Sequence, residues 1–231
     1  MRNIIIIIKK QLKDTVKNKT ILIQFILFSL MTIIMENAIT LEGMPELFFT
    51  KLFAIMYIGM APITSVAAII SEEKEEKEEN TLRVLMMANV KPWQYLCGVG
   101  FYVWAICMIG AGVMSLGFPG KDRAFFLGLM GIGFFISILA GACVGIFAKN
   151  PMAATSLVMP GMMILAFLPM LSMFNEKIAK VAKIFYTEQL KNILEKMSFS
   201  DMPENAVWII LINAVVLVFL FSFVYKRKGL E

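Results

Sequence analysis

Six apolar runs, each long enough to cross a bilayer as a helix, constrain the fold of this chain more than any other feature. A span needs about 20 apolar residues to cross a hydrocarbon core about 30 Å thick. The runs are continuously apolar and do not alternate, which favours helices over a β-barrel. With 59% hydrophobic residues and a mean hydropathy of +0.76, the sequence predicts an all-α integral membrane protein. Its single transmembrane domain, residues 1–231, has predicted spans at residues 19–39, 52–70, 95–118, 124–148, 151–174 and 206–225.

A strongly charged stretch, EEKEEKEE at residues 72–79, separates the second apolar run from the third. Each charge at the centre of a transmembrane helix costs about 2.5–3.5 kcal/mol, so eight would cost about 20–28 kcal/mol. The stretch must therefore lie in water, and residues 72–92 are predicted to form a loop outside the membrane. Glu and Lys four positions apart favour a solvated helix end that needs no further role. An interaction surface is the alternative.

Lysine and arginine are more frequent on one predicted face of the membrane than on the other. Of the 22, 14 lie in the N-terminal tail, the charged loop, the turn at Lys149 and the C-terminal tail. The other eight include five in the long loop at residues 175–205. Because positive loops are retained in the cytoplasm, both termini and the charged loop are predicted to be cytoplasmic, in a multi-pass plasma-membrane protein. This topology explains the net charge of +5 without nucleic acid as a partner.

The first 18 residues are predicted to form a helix that lies in the lipid headgroup plane. Their apolar side chains recur at helical spacing while the lysines fall elsewhere; the apolar positions are Ile4, Ile5, Ile8, Leu12 and Val16. The apolar block is too short for a signal peptide, and no small-residue cleavage site follows it. A frayed tail is the alternative.

Residue types exclude several chemistries. The chain has no histidine, which removes His-based acid–base catalysis and the commonest transition-metal ligand. Cys97, Cys107 and Cys143 have no zinc or CxxC spacing and are predicted to be small buried apolar residues. A phosphate-binding GxxxxGK[ST] loop is absent. The span interiors offer polar residues that favour interhelical hydrogen bonds, but no charge for ion coupling. These polar residues are Gln24, Thr64, Ser65, Ser137, Thr155, Ser156 and Asn213. We therefore expect no metal or cofactor in this chain and an energy source in another polypeptide.

An apolar stripe follows the glutamates of the charged loop. Leu82, Leu85, Met86 and Val90 share one helical face, and Pro92 ends the predicted helix. The stripe must be covered, either by the protein's own spans and N-terminal helix or by a cytoplasmic partner.

The sequence EEKEENTLRVLMMANVKPWQYLCGV, residues 75–99, resembles the first cytoplasmic loop of membrane subunits of ATP-binding-cassette exporters of the type-2 permease family. The family pattern there is E-K-E-x-G-T-L-x-x-L-L-x-x-P-V-x-x-W-x-x-L-x-G-K. This chain departs from it at Asn80, Asn89 and Val99, where the pattern has Gly, Pro and Lys. The six spans, the N-terminal helix and the long outer loop extend the resemblance over the whole chain.

The resemblance implies that residues 72–90 form a coupling helix that docks in a cleft of a separate ATPase subunit. ATP and Mg would be bound by that partner, and a second permease copy, identical or related, would complete the transporter. The turn at Lys149 and Pro151 is a second contact candidate. The residues expected to carry the docking are Glu76, Glu78, Thr81, Leu82, Leu85, Met86 and Val90.

The later spans offer candidates for packing and for the substrate path. Gly141 and Gly145 have the small-xxx-small spacing that permits close helix approach, either within the subunit or at a subunit seam. The fifth span has three prolines that can kink it. It also has methionines, whose flexible apolar side chains can adapt to a hydrophobic substrate. Ordinary packing is the alternative. The candidate path residues are Met159, Met162, Met163 and Met170.

The loop at residues 175–205 has apolar positions at helical spacing. It is predicted to form two short amphipathic helices that dip into the outer interface.

These features together predict the membrane subunit of an ATP-driven exporter of a hydrophobic or amphipathic substrate, with a peptide favoured over a drug. A scaffold or sensor that recruits a soluble partner through the charged loop is the main rival. A membrane-embedded enzyme is disfavoured because the chain has no histidine.

Overall fold

A computed structural model of the protein describes residues 19–39, 45–78, 92–197 and 203–228. Within these ranges the chain is almost entirely helical and has no strand, as the sequence predicts. A short 3-10 turn, Ser115–Gly117, follows the third helix. The helices are α1 (Lys19–Ala38), α2 (Phe48–Glu78), α3 (Pro92–Met114), α4 (Gly120–Phe147), α5 (Pro151–Ser172), α6 (Glu176–Ala182), α7 (Tyr186–Lys196) and α8 (Glu204–Lys228).

Five helices in the described part of the chain are long and apolar enough to cross a membrane. They are α2, α3, α4, α5 and α8, with apolar segments Phe48–Glu72, Leu96–Gly117, Gly120–Phe147, Pro151–Ser172 and Asn205–Val224. The first helix, α1, contains a shorter apolar segment, Phe25–Ala38. Five of the six predicted spans therefore have a matching helix of sufficient length. The first predicted span, residues 19–39, remains a prediction. The predicted N-terminal helix, residues 1–18, lies outside the described residues.

The central helix of the bundle is α2, which contacts α1, α3, α4, α5 and α7. It begins at Phe48 and continues without interruption through Ser71 to Glu78. The first part of the charged stretch is thus the continuation of a spanning helix, in agreement with the solvated helix end that its Glu and Lys spacing favours. The reason is that glutamate and lysine are good helix formers once they are in water.

A proline within α2 accounts for one of its contacts with α4. Pro62 has no N–H, so the carbonyl of Ile58 has no partner within the helix. Ser137 of α4 supplies one, because its Oγ donates to that carbonyl at 2.6 Å. The hydroxyl of Tyr186 in α7 lies 2.8 Å from the same Oγ, and donates to it because the serine proton is already used. Ser137 therefore joins three helices, which confirms its predicted interhelical role. The same prediction is wrong for Thr155 and Ser156, which donate to carbonyls within α5.

Two glycines of α4 allow its backbone to approach that of α2 closely. A Cβ at Gly141 would lie 2.5 Å from the carbonyl oxygen of Ile63, and one at Gly145 would lie 3.0 Å from the Cα of Ala67. The close approach predicted from the small-xxx-small spacing is confirmed. It occurs between two helices of one subunit, however, and the suggested subunit seam is wrong for this face.

The helices α6 and α7 form a hairpin, and its turn lies beside the middle of α8. Asn213 donates from Nδ2 to the carbonyl of Ile184 in that turn at 3.0 Å, so its bond joins α8 to the turn and not to a second helix. We call the end of the bundle that includes Phe48 and Ser172 the hairpin side. The opposite end, which includes Glu78 and Lys228, is the tail side.

The two short helices predicted for the loop are present, but the predicted interfacial location is wrong for α7. Tyr186, Leu190, Ile193 and Leu194 are buried among the spanning helices, and α7 contacts α2, α4, α5 and α8. Its apolar stripe therefore packs against protein. Amphipathic periodicity reports that one face is buried but does not distinguish a protein neighbour from lipid.

Candidate functional site

A cluster of charged and polar side chains lies inside the bundle on the hairpin side. Glu188 and Lys191 of α7 form an ion pair, with Nζ 2.8 Å from Oε1 and side-chain exposures of only 6% and 12%. Because α7 is helical, residues three apart lie on the same face. The pair therefore points in one direction, toward the end of α5.

The last turn of α5 completes this cluster. Ser172 Oγ lies 2.8 Å from Glu188 Oε2 and 2.7 Å from Lys191 Nζ. Lys191 also donates to the carbonyl of Pro169 at 3.2 Å. The final carbonyls of a helix have no partner within it and carry partial negative charge. A cation from α7 thus satisfies the end of α5, and the cluster fastens the two helices together.

Beside this cluster is a cavity of about 240 Å³ between α2, α5 and α7. Apolar side chains form most of its wall, including Phe48, Leu52 and Met170, while Lys51, Lys191 and Glu195 contribute charge. Its volume is below the roughly 300–1,000 Å³ of a pocket for a drug-sized ligand. It can accept an apolar group with a polar end, and in one subunit it has room for only part of a larger substrate.

The four methionines predicted to line the substrate path do not share one surface. Met170 lines this cavity. Met162 is buried against α2 and packs with Ile63 and Val158. Met159 and Met163 are about half exposed on the outer face of α5. The structure therefore brings only Met170 into the cavity.

The residues predicted to dock an ATPase lie at or beyond the tail-side end of α2. Glu76 and Glu78 belong to its final turns. Thr81, Leu82, Leu85, Met86 and Val90 lie outside the described residues.

The buried cluster is the part of this site that the sequence analysis missed. Glu188 and Lys191 were assigned no role, because they lie in the loop that is predicted to form two amphipathic helices in the outer interface. Their i, i+3 spacing on a helix with buried apolar neighbours was the available signal. Ser172, one of the last polar residues before the loop, gave no signal of its own.

Within the described ranges, no group of three or more His, Cys, Asp or Glu side chains is arranged to hold a metal ion. Cys107 and Cys143 are buried, as predicted for small apolar residues. Cys97 is exposed, so the same prediction is wrong there. Cys97 lies near the tail-side start of α3, on a face of the helix that the core does not cover.

A family model described as ABC-2 family transporter protein matches residues 2–226. The chain belongs to this family. It is a membrane subunit of an ATP-binding-cassette transporter, a class in which the membrane component lacks the ATPase site and works with an ATP-binding subunit. No curated protein sequence matches the chain.

Proposed function

We propose that this ABC-2 family member exports a hydrophobic or amphipathic substrate, with a peptide favoured over a drug, and is driven by a separate ATPase subunit. In this proposal the chain crosses the plasma membrane six times with both termini in the cytoplasm. Two copies, identical or related, enclose the path. The ATPase, which holds ATP and Mg, docks on residues 72–90, and the tail side is the cytoplasmic side.

The observation that carries the proposal is the continuity of α2. Its 31 residues correspond to a rod about 46 Å long, whereas the hydrocarbon core is about 30 Å thick. Phe48, Leu52 and Ile55 at one end line the cavity, and the charged stretch is at the other end. One continuous helix therefore joins the charged stretch to the cavity wall, and in this proposal it transmits force between them.

The cavity supports the choice of substrate class. Its wall is mostly apolar, yet Lys51, Lys191 and Glu195 border it. This combination suits a molecule with an apolar body and a few polar groups, such as an amphipathic peptide. Because one subunit encloses only about 240 Å³, such a molecule would need the second copy to complete its path.

Docking is tested by copurification of the ATPase with a variant of the predicted stripe. Leu85→Asp places a charge on the stripe and is expected to abolish copurification while the bundle remains folded. Asn89→Asp adds the same charge to the same segment off the stripe and is expected to preserve copurification. Equal retention of the ATPase by both variants contradicts the docking role, and absence of any ATPase from the wild-type preparation favours a scaffold.

The mechanical role of α2 is tested by changing its stiffness between the membrane and the docking segment. Four glycines inserted after Glu72, which is exposed, introduce a flexible joint because glycine is a poor helix former. Four alanines at the same place extend the helix by about one turn and keep it rigid. We expect the glycine variant to bind the ATPase but to lose stimulation of ATP hydrolysis by substrate peptide. The alanine variant should retain most of that stimulation. If both variants behave alike, a rigid α2 is not required.

A further inference from the structure

A second and larger cavity lies between α5 and α8, on the tail side of the hairpin turn. Its volume is about 410 Å³. Gly161 and Ile164 of α5 form one wall, Ile212 and Val216 of α8 form the other, and Ile184 and Phe185 of the turn close its hairpin-side end. A Cβ added at Gly161 would meet no atom within 4 Å. The groove is therefore open next to that glycine.

The polar groups at the edge of this groove already have partners. The hydroxyl of Tyr186 is bonded to Ser137, and the Asn213 amide donates to the carbonyls of Ile184 and Ile209. Nothing polar remains that would favour a water-filled groove, because water needs two to four polar partners to occupy a buried site. The space is suited to a hydrocarbon chain.

The position of the groove along α8 matches one leaflet of a bilayer. From Val216 to Lys226 is ten residues, or about 15 Å of helix. This equals half of the roughly 30 Å hydrocarbon core. A lipid chain that starts at the level of Lys226 therefore enters the groove beside Val216. The roof at Ile184 is bonded to Asn213, about 20 Å of helix from Lys226.

Positive charge is concentrated at the level where the headgroup of such a lipid would lie. The final turn of α8 contains Lys226, Arg227 and Lys228 in sequence, and Lys149 is exposed in the turn between α4 and α5. Cys143 Sγ of α4 lies 3.7 Å from the carbonyl oxygen of Leu217 in α8. Lys149 follows Cys143 by six residues and Lys226 follows Leu217 by nine, so both lysines lie on the tail side of this contact. Basic residues between spanning helices are typical of sites for anionic lipid headgroups.

We propose that the groove between α5 and α8 binds one acyl chain of an anionic glycerophospholipid from the tail-side leaflet. Its phosphate headgroup is held beside Lys149 and the final turn of α8. The charge complementarity selects this occupant over a zwitterionic lipid, and the site does not depend on whether the protein exports a peptide.

The test uses the full chain in lipid-depleted mild detergent and a phospholipid with a photoreactive diazirine near the end of one acyl chain. Phosphatidylglycerol and phosphatidylcholine versions of the probe are titrated, and the labelled peptides are identified by mass spectrometry. We expect labelling around residues 161–164 and 212–216. Two cation–headgroup contacts of ordinary strength would make half-saturation by phosphatidylglycerol occur at a roughly 30-fold lower concentration.

Two variants separate the chain site from the headgroup site. Gly161→Trp fills the groove and should abolish this labelling, whereas Gly128→Trp on α4, where a Cβ also meets no atom within 4 Å, should leave it unchanged. Val216→Trp repeats the test from the opposite wall if the first variant does not fold. The double variant Lys149→Gln with Lys226→Gln should retain chain labelling but lose most of the preference for phosphatidylglycerol.

Three results would overturn the proposal. Equal half-saturation by the two lipids would mean that the groove holds only bulk annular lipid. Unchanged labelling in folded Gly161→Trp and Val216→Trp would place the lipid elsewhere. Oxidative cross-linking of Gly161→Cys to a second copy of the chain, in a background without the native cysteines, would show that protein covers the groove.

Discussion

The helices α4 and α8 are both strongly apolar, but they lie in opposite environments. In the most apolar window of each, 78% of α4 is buried within the protein and only 6% of α8. Hydropathy ranks them the other way, since α8 is the more apolar of the two. In a membrane, apolar composition shows that a helix leaves water but does not show whether protein or lipid replaces the water.

Glycine distinguishes the two helices where hydropathy does not. The α4 segment has glycines at several positions, and Gly141 and Gly145 lie against the backbone of α2. The α8 segment has none and presents large side chains such as Phe219 and Phe223 outward. Helix association in lipid depends on close packing and interhelical hydrogen bonds. Glycines that contact another backbone therefore distinguish the interior helix α4 from α8, and this contrast can be tested by substitution.

The largest expected effect is at the buried ion pair of α7. Lys191→Met leaves Glu188 buried without its cation and is expected to cost about 3–5 kcal/mol of stability. Lys180→Met removes an exposed lysine from α6 and should change stability by less than about 0.5 kcal/mol. Unfolding in mixed micelles measures both. A small effect of Lys191→Met would show that water reaches the cluster and that the hairpin side is less closed than the interior around α4.

The next effect is expected where α4 contacts α2. In Gly141→Ala the new Cβ would lie 2.5 Å from the carbonyl oxygen of Ile63. Because a backbone cannot move aside as a side chain can, we expect the free energy of unfolding to fall by about 1–3 kcal/mol. Gly128→Ala is the matched control on the same helix, because its Cβ meets nothing within 4 Å. It should not reduce stability. Equal tolerance of both substitutions would remove glycine contact as the distinction between interior and lipid-facing helices.

A smaller effect is expected at the hydrogen bond that compensates for Pro62. Ser137→Ala leaves the carbonyl of Ile58 and the hydroxyl of Tyr186 without their shared partner. Interhelical hydrogen bonds in membranes contribute about 0.6 kcal/mol on average and up to about 1.7 kcal/mol. We expect the upper part of this range, measured by unfolding in mixed micelles. Ser156→Ala, at an exposed serine that bonds only within α5, is the control and should have almost no effect.

The helical class, the positions of five of the six spans and the close approach at Gly141 were predictable because each depends on local sequence. Length and apolar composition define a span, and glycine spacing defines a surface that can approach another backbone. The partner of that surface was not predictable, since α2 and any second subunit would use the same kind of contact.

The hairpin shows where sequence reasoning ends. The helical periodicity of α6 and α7 predicted both helices, but the burial of α7 depends on α2, α4, α5 and α8 being placed around it. In sequence, Glu188 is one charge among several in a segment predicted to form amphipathic helices, and nothing marks it as buried. It is buried because Ser172 and Lys191, one of them on a different helix, satisfy its oxygens.

The smallest effect is expected on the outer face of α8, and it is the one that best defines the contrast with α4. Phe219 is 72% exposed within the subunit. If lipid covers it, Phe219→Ala exchanges one apolar surface for another and should change stability by less than about 0.5 kcal/mol. The buried Phe134 of α4 gives the comparison, since Phe134→Ala should cost about 3–5 kcal/mol through the cavity that it leaves. A large loss for Phe219→Ala, accompanied by dissociation of a purified dimer, would place α8 against protein and would make its outer face a subunit contact.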